Sequence, residues 1–413
     1  MKFYFPDSQD QVDPSFDFDT EERSRLRLRH REDLYAHELF QRPPFDGVLV
    51  SKAVLDAGRY SIAQKHRMLR VGVREFFRIS DPNLLTMGDC GAFTYVREER
   101  PPFSVEEVVE YYQTMGFDFG MSVDHIIFGY EPSDHDIPED WRFRHELTLS
   151  LAKQFLDQHR KTKSRFTPIG VAQGWSPSSY ADAVEQLQAM GYDYIALGGM
   201  IGLKTPDILS CLKMVHPILQ SGVRMHILGI TRIESVQLFA DFGVSSIDST
   251  SPLRQAFKDM KDNYYAPDRT YTALRVPQVE ANPQLVRNIK AGKINQQEAR
   301  KLEQHCLACL KQFDRGTCGL EETLDSLLTY ETLYDDRRTF ANEYRDTLQD
   351  EPWKKCPCDV CGALGIHVIL FRGAERNRRR GFHNLHVFYN KLQQRKAAAK
   401  GLFDLEAHEA LSR

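Results

Sequence analysis

The feature that most constrains this chain is a rhythm. From about residue 46, short apolar runs rich in Val and Ile alternate with longer amphipathic stretches over roughly 200 residues. The runs are Gly47–Ser51, Leu84–Asp89, Gly120–Ile127, Pro168–Gln173, Tyr194–Gly199, Met225–Ile230 and Val244–Asp248. Helix-like segments such as Val105–Met115, Arg144–His159, Ser178–Met190 and Ile233–Phe242 lie between them. Neighbouring parallel strands need a crossover, and a helix is the usual one, so this order points to a parallel α/β fold. Nearly every run ends in a polar group or glycine: Asp89, Asp124, Gln173, Gly198-Gly199, Gly229 and Asp248. A doubly wound open sheet would want a glycine-rich phosphate turn after its first strand, and the segment after Ser51 has none. Gly198–Thr205 looks superficially like a phosphate loop but lacks the adjacent Gly and Lys. The expectation is a (β/α)8 TIM-type barrel with polar groups gathered at the C-terminal ends of its strands. Seven strands are located and the eighth is unplaced.

Around that core the sequence divides linearly. Residues 1–45 are expected to be an N-terminal extension packed on the barrel, with 20–42 strongly charged and helical at the surface. Residues 46–264 form the catalytic barrel. Residues 265–350 break the rhythm and read as a helical insertion, with helices over Asn282–Phe313 and Leu320–Leu348. Residues 351–413 form a zinc-binding and basic C-terminal region. An apolar content of 41% excludes whole-chain disorder. No run of about 18 apolar residues exists, which excludes a transmembrane helix. Met1–Asp7 lacks the apolar segment of a secretory leader, so a cytoplasmic protein is expected. The net charge of −4 carries no global nucleic-acid signal, yet Arg372–Lys400 holds nine basic residues and one acid. That segment reads as a polyanion-binding face or as a solvated helix surface.

Three of the eight cysteines crowd into Cys356-Pro357-Cys358-Asp359-Val360-Cys361. In a chain of this size that pattern reads as metal before disulfide. Three thiolates and one imidazole make a closed, structural Zn²⁺ site, with His367, His383 and His386 competing as fourth ligand. Cys306 and Cys309 lie in a helical stretch with no nearby partner pair and read as helix packing. Asp89 and Asp248, each at a strand end, are able to divide nucleophile and acid/base roles, although such residues are more often caps. Phe93, in a small-residue turn after Asp89, suits stacking on a flat ring. Asp124, Gln173 and the Gly198-Gly199 amides suit the edge of a guanine, which offers N–H donors to a carboxylate and accepts at O6 from amides.

These motifs together resemble the tRNA-guanine transglycosylase family over roughly Gly47 to Leu392. Asp89–Phe93 is similar to its Asp-Ser-Gly-Gly-Phe/Tyr motif, Ala172-Gln173-Gly174 to its Val-Gln-Gly, and Ala196–Met200 to its Gly-Gly-Leu loop. Asp248 with Pro252 and Arg254 resembles its nucleophile motif, and the cysteines with His383-Asn384-Leu385 resemble its zinc motif. The resemblance implies a barrel with a zinc subdomain ligated by Cys356, Cys358, Cys361 and His383. It implies that Asp248 attacks the ribose C1′ and that Asp89 handles the proton on the leaving and entering base. Asp124, Gln173, Gly198 and Gly199 would read that base, sandwiched by Phe93 and Leu228. Queuine-type members carry an acid after the Gly-Gly loop, suited to a cationic aminomethyl group. Lys204 stands near that point, which implies the neutral 7-cyano-7-deazaguanine (preQ0) as incoming base. The N-terminal segment, Asp46–Lys52 and Arg376–Asn384 resemble the DNA-modifying branch, whose members put a deazaguanine into DNA beside partner proteins of a restriction system. Guanine exchange in DNA is therefore expected, with Zn²⁺ as structural metal and an ATPase partner encoded nearby to open the duplex. Arg254, Arg376, Arg378, Arg379 and Arg380 would contact phosphates. The alternatives are exchange in tRNA, and a zinc-stabilised nucleic-acid-binding module without catalysis.

Overall fold

The computed structural model describes residues 1–56, 58–335 and 339–411, with side chains as far as 395. Eight parallel strands close into a barrel in chain order: β1 (Lys2–Pro6), β2 (Gly47–Ser51), β3 (Leu85–Asp89), β4 (Phe119–Met121), β5 (Thr167–Ala172), β6 (Tyr194–Leu197), β7 (Arg224–Ile227) and β8 (Val244–Asp248). The expected barrel is thus present, and the missing strand is the extreme N-terminus. β1 pairs with β2 (Tyr4 opposite Gly47) and with β8 (Tyr4 opposite Asp248), which closes the sheet. Lys2–Pro6 is therefore part of the barrel and not of an extension packed on it.

Period-two alternation sorts every strand into a lumen face and a helix-facing side. Tyr4, Leu49, Met87, Met121, Ile169, Val171, Tyr194 and Ala196 fill the lumen as one cluster, with Leu85, Phe119 and Leu228 packed against it. The same parity continues past that layer. Two residues beyond Met87 is Asp89, beyond Val171 is Gln173, beyond Ala196 is Gly198, and two beyond Ser246 is Asp248. The lumen thus passes from apolar packing to polar groups at its C-terminal mouth. Helices Val105–Met115 and Pro177–Met190 follow Ser104 and Ser176, whose hydroxyls accept the third helical amide as N-caps. Both end at a left-handed glycine, Gly116 and Gly191.

Two expected elements differ. The strand expected over Gly120–Ile127 stops at Met121. Beyond it the backbone amides find side chains instead: His125 N donates to Thr148 Oγ1 (3.0 Å) and Ile127 N to Gln173 Oε1 (3.3 Å). The helix expected over 20–42 is reduced to Ala36–Leu39. There acidic side chains capture nearby amides, as Asp17 Oδ1 does from Asp19 and Thr20 (both 2.8 Å) and Asp33 from His30 (3.1 Å). Such local bonds compete directly with helical ones.

The chain separates into two compact units, and the division is not linear. One takes Met1–Ser8, Phe45–Thr250 and the chain from Leu392; the other takes Gln9–Pro44 and Ser251–Lys391. The expected insertion at 265–350 and most of the expected C-terminal region thus share one unit with residues 9–44. The long segment Asn282–Phe313 is two helices, Pro283–Lys290 and Gln296–Asp314, and Leu320–Leu348 likewise splits into Leu320–Glu331 and Ala341–Asp350. Among the described residues no helix is long and apolar enough to cross a membrane.

Candidate active site and metal centre

At the C-terminal mouth of the barrel, Asp248 is 6% exposed, and one of its oxygens is doubly held. Oδ1 accepts from His226 Nε2 and from the Gly229 amide, both at 3.0 Å. Oδ2 makes no hydrogen bond among the described residues, so one carboxylate oxygen is oriented and the other is unengaged. His226, fully buried on β7, receives the Ser246 hydroxyl at Nδ1 (2.7 Å), and Ser246 in turn accepts from Tyr194. With Nε2–H given to the carboxylate, Nδ1 is the acceptor, and a consistent chain of donors runs Tyr194, Ser246, His226, Asp248. Sequence reasoning missed His226. The signal was its parity, a polar residue two positions before Leu228 on the lumen face of β7.

Asp89 ends β3, only partly accessible. Burial, and then the neighbouring Asp124 and Asp248 charges, push its carboxyl up to about 7 against the lowering effect of the Gly91 and Cys90 amides. Asp89 is thus electrostatically coupled to Asp124 and to Asp248.

Asp124, Gln173 and Cys90 form a buried triad. Asp124 Oδ1 accepts from the Cys90 thiol (2.9 Å) and Oδ2 from Gln173 Nε2 (2.7 Å). Burial, with Asp124 beside it, raises the Cys90 thiol far above its usual range and keeps it a donor. Burial also raises Asp124, partly offset by the two donors it accepts from. Tyr95 donates to the Asp124 carbonyl (3.0 Å) and pins the turn. Each Asp124 oxygen keeps a second lone pair for a ligand.

Gly198 approaches this triad so closely that a Cβ there would lie 2.1 Å from Gln173 Nε2. Its amide, however, is spent on Ala172 O (2.9 Å), so Gly198 clears space and does not donate to a base. Gly199 adopts φ +72°, and its amide has no partner among the described residues. Leu228 lies half-buried against the lumen cluster. Phe93 stands at the rim, 53% exposed, with Phe128 tilted against it at 5.3 Å. Phe128 is a second aromatic that sequence reasoning missed. Lys204 is exposed, and the next acid, Asp207, folds back to accept the Lys204 amide (3.3 Å).

In the second unit, Cys356, Cys358 and Cys361 place their sulfurs 3.5, 3.5 and 3.3 Å from His383 Nδ1. A tetrahedral metal with bonds of about 2.3 Å to sulfur and 2.0 Å to nitrogen separates such ligands by roughly 3.5 Å, so the set fits one. His383 is oriented by its other nitrogen, which bonds Tyr265 O at 2.8 Å, and by Tyr264 stacked on its ring at 4.0 Å. The competing histidines are engaged elsewhere: His386 stacks on Phe40 and His367 faces Asp19.

The basic segment is not what its charge suggested. Arg376, Arg379 and Arg380 are buried, at 2%, 6% and 0% exposure. Arg376 pairs with Glu21, and Arg379 with Glu375 (2.6 Å) and the Asp13 carbonyl (2.6 Å). Arg380 donates to Leu370 O (2.9 Å) and Asn377 Oδ1 (2.8 Å), and burial lowers it to about 9. These three hold this unit together and are not available to phosphates, which corrects the expectation for them. Arg254 is exposed and Arg378 partly so. Lys396 and Lys400 lie outside the residues whose side chains are described.

Comparison with known proteins agrees with this geometry. The sequence pattern of the family described as Queuine tRNA-ribosyltransferase matches residues 62–318. The chain is 51% identical over 406 residues to a DNA-guanine transglycosylase of Salmonella montevideo, covering 95% of this chain and 97% of that protein. It is 25% identical over 177 residues to a queuine tRNA-ribosyltransferase of Chlamydia pneumoniae, covering 42% and 46%. A matching family pattern over more than half the chain, with a near full-length relative, places the protein: it belongs to the queuine tRNA-ribosyltransferase family, the tRNA-guanine transglycosylases that its motifs resemble.

Proposed function

We propose that this chain exchanges guanine in DNA for a 7-deazaguanine base, through a glycosyl ester on Asp248. The observation that carries the choice of polymer is the 51% identity along 97% of a DNA-guanine transglycosylase, against a partial match to the tRNA enzymes. The arrangement of the site supports the following chemistry. Asp248 Oδ2 forms a bond to C1′ as the bond from C1′ to N9 of guanine breaks, while His226 and the Gly229 amide fix Oδ1. Asp89, protonated near neutral pH, gives its proton to the departing base. The resulting Asp89 carboxylate then takes the N9 proton of the incoming base, whose N9 attacks C1′ and releases Asp248. Two inversions give net retention.

Asp124, Gln173 and the Gly199 amide read the guanine edge, with Gly198 clearing the approach, and Phe93 and Leu228 cover its faces. The absence of an acid between Gly199 and Asp207 favours a neutral nitrile, so preQ0 is the incoming base. In a competition assay preQ0 should outcompete its aminomethyl counterpart; equal use of the two would contradict this. Cys356, Cys358, Cys361 and His383 hold a structural Zn²⁺, which supplies folding energy to its unit. Arg254 and Arg378 contact phosphates. A duplex guanine must be flipped out before C1′ is reached, which gives an ATPase partner its task.

Nucleoside mass spectrometry of DNA and tRNA tests this, in cells carrying the intact gene neighbourhood with wild type or Asp248→Ala. A deazaguanine deoxynucleoside that disappears in the variant is expected. A change confined to tRNA would overturn the polymer assignment.

A further inference from the structure

We infer that this protein carries a second metal site, built by Cys309, Cys318 and Glu322, which takes a thiolate-preferring divalent ion such as Zn²⁺. The thiols of Cys309 and Cys318 and the Glu322 carboxylate lie within 4.8 Å of one another. His305 Nε2 is 3.6 Å from Cys309 Sγ. His305 is a neighbour of that sulfur and lies outside the ligand cluster. Cys309, Cys318 and Glu322 belong to one unit of the chain.

The local sequence explains the convergence. His305 and Cys309 are four apart on helix Gln296–Asp314 and so share one face. Cys318 sits in the turn that follows, and Glu322 is in the first turn of helix Leu320–Glu331. Negative ligands there also meet the positive end of that helix. Cys306 is fully buried and takes no part, so the Cys-x-x-Cys spacing is incidental; the partner of Cys309 is nine residues downstream. The other polar neighbours of Cys318 are weak, Thr323 Oγ1 at 3.3 Å and Gly319 O at 3.7 Å. Two sulfurs and a carboxylate are donors that zinc accepts, with a fourth position open to solvent. Cys309 and Cys318 are 2% and 9% exposed while Glu322 and His305 face solvent, which leaves the ion an entry path.

Binding releases the two thiol protons and forms two metal–sulfur bonds and one metal–oxygen bond to Glu322, with no redox change. The ion clips the turn between the two helices and plays no part in base exchange. The inference is therefore independent of the function proposed above.

The test is zinc content per chain, by inductively coupled plasma mass spectrometry, in full-length wild type and Cys318→Ser purified side by side without chelator. The quantity read is the difference, so occupancy of the Cys356–His383 site does not enter. Wild type should hold one more equivalent than the variant, at equal far-UV circular dichroism. Equal zinc contents, or a Cys309–Cys318 disulfide in a non-reducing peptide map, would overturn the inference. Should Cys318→Ser fail to fold, the exposed Glu322→Gln replaces it. That variant should release one equivalent to a chromophoric chelator more readily, by at least the roughly 10-fold that loss of a supporting contact costs a metal site; unchanged release would overturn the inference.

Discussion

Asp248 cannot be understood apart from His226. The imidazole and the Gly229 amide both engage Oδ1, which leaves Oδ2 as the oxygen proposed to react. His226 touches no substrate atom in this account and is a positioning residue. His226→Phe should lower kcat for base exchange by roughly 10²-fold, the usual consequence of a misplaced reacting group, with KM for the free base unchanged. His226→Gln, which still offers a donor to Oδ1, should recover part of the loss; a KM effect with kcat intact would contradict the assignment. Asp89 makes a prediction about pH. Its carboxyl is raised from 3.8 to about 7 by burial and by Asp124 and Asp248. The folded state therefore holds a proton that the unfolded state releases near pH 4, and ionising Asp89 costs stability as pH rises from about 4 through 7. Asp89→Asn should raise the melting temperature at pH 8 by at least ~2 °C and leave it unchanged at pH 3.5. In activity, the acid form gives the leaving base its proton. kcat/KM for base displacement should fall above about pH 7, and pH-independent rates through that range would contradict the role. Asp89 and Asp248 were legible in the sequence because each closes an apolar run. His226 was not, because a single histidine inside a strand looks like any satisfied core polar group.

At the level of elements, what the sequence hid was whatever depends on distant pairing. Seven strands announce themselves by local apolar runs. β1 is five residues, aromatic, and ends in Pro6, and its role appears only when it meets β8 more than two hundred residues later. The helix beginning at Gly373 gives the same lesson in charge. Its arginines look solvent-facing from composition, yet Glu21 and Asp13, which face them, lie over 350 residues upstream. The two classes of arginine separate experimentally. Arg379→Ala removes one partner of buried Glu375, leaving it Arg23 and the Asp13 amide, and should cost about 2 kcal/mol by urea denaturation. Arg254→Ala and Arg378→Ala should leave stability unchanged and each reduce the slope of log affinity for DNA against log salt by about 0.9. A reversed pattern would return the buried arginines to the phosphate face.

For the molecule as a whole, the barrel unit and the unit with the Cys356–His383 cluster are each interleaved in sequence, so linear boundaries at residues 45, 264 and 350 do not follow the packing. The chemistry was more legible than the partition, because strand parity alone delivers Asp89, Gln173, Gly198 and Asp248 to one mouth of the barrel. The central claim is that Asp248 becomes covalently attached to a DNA deoxyribose. It is tested most directly by mixing the protein with guanine-containing DNA and no free base, quenching in denaturant, and mapping adducts by peptide mass spectrometry. A deoxyribosyl ester is expected on the peptide containing Asp248, absent from Asp248→Asn and discharged on adding preQ0. An adduct on a different residue, or full exchange by Asp248→Asn, would contradict it.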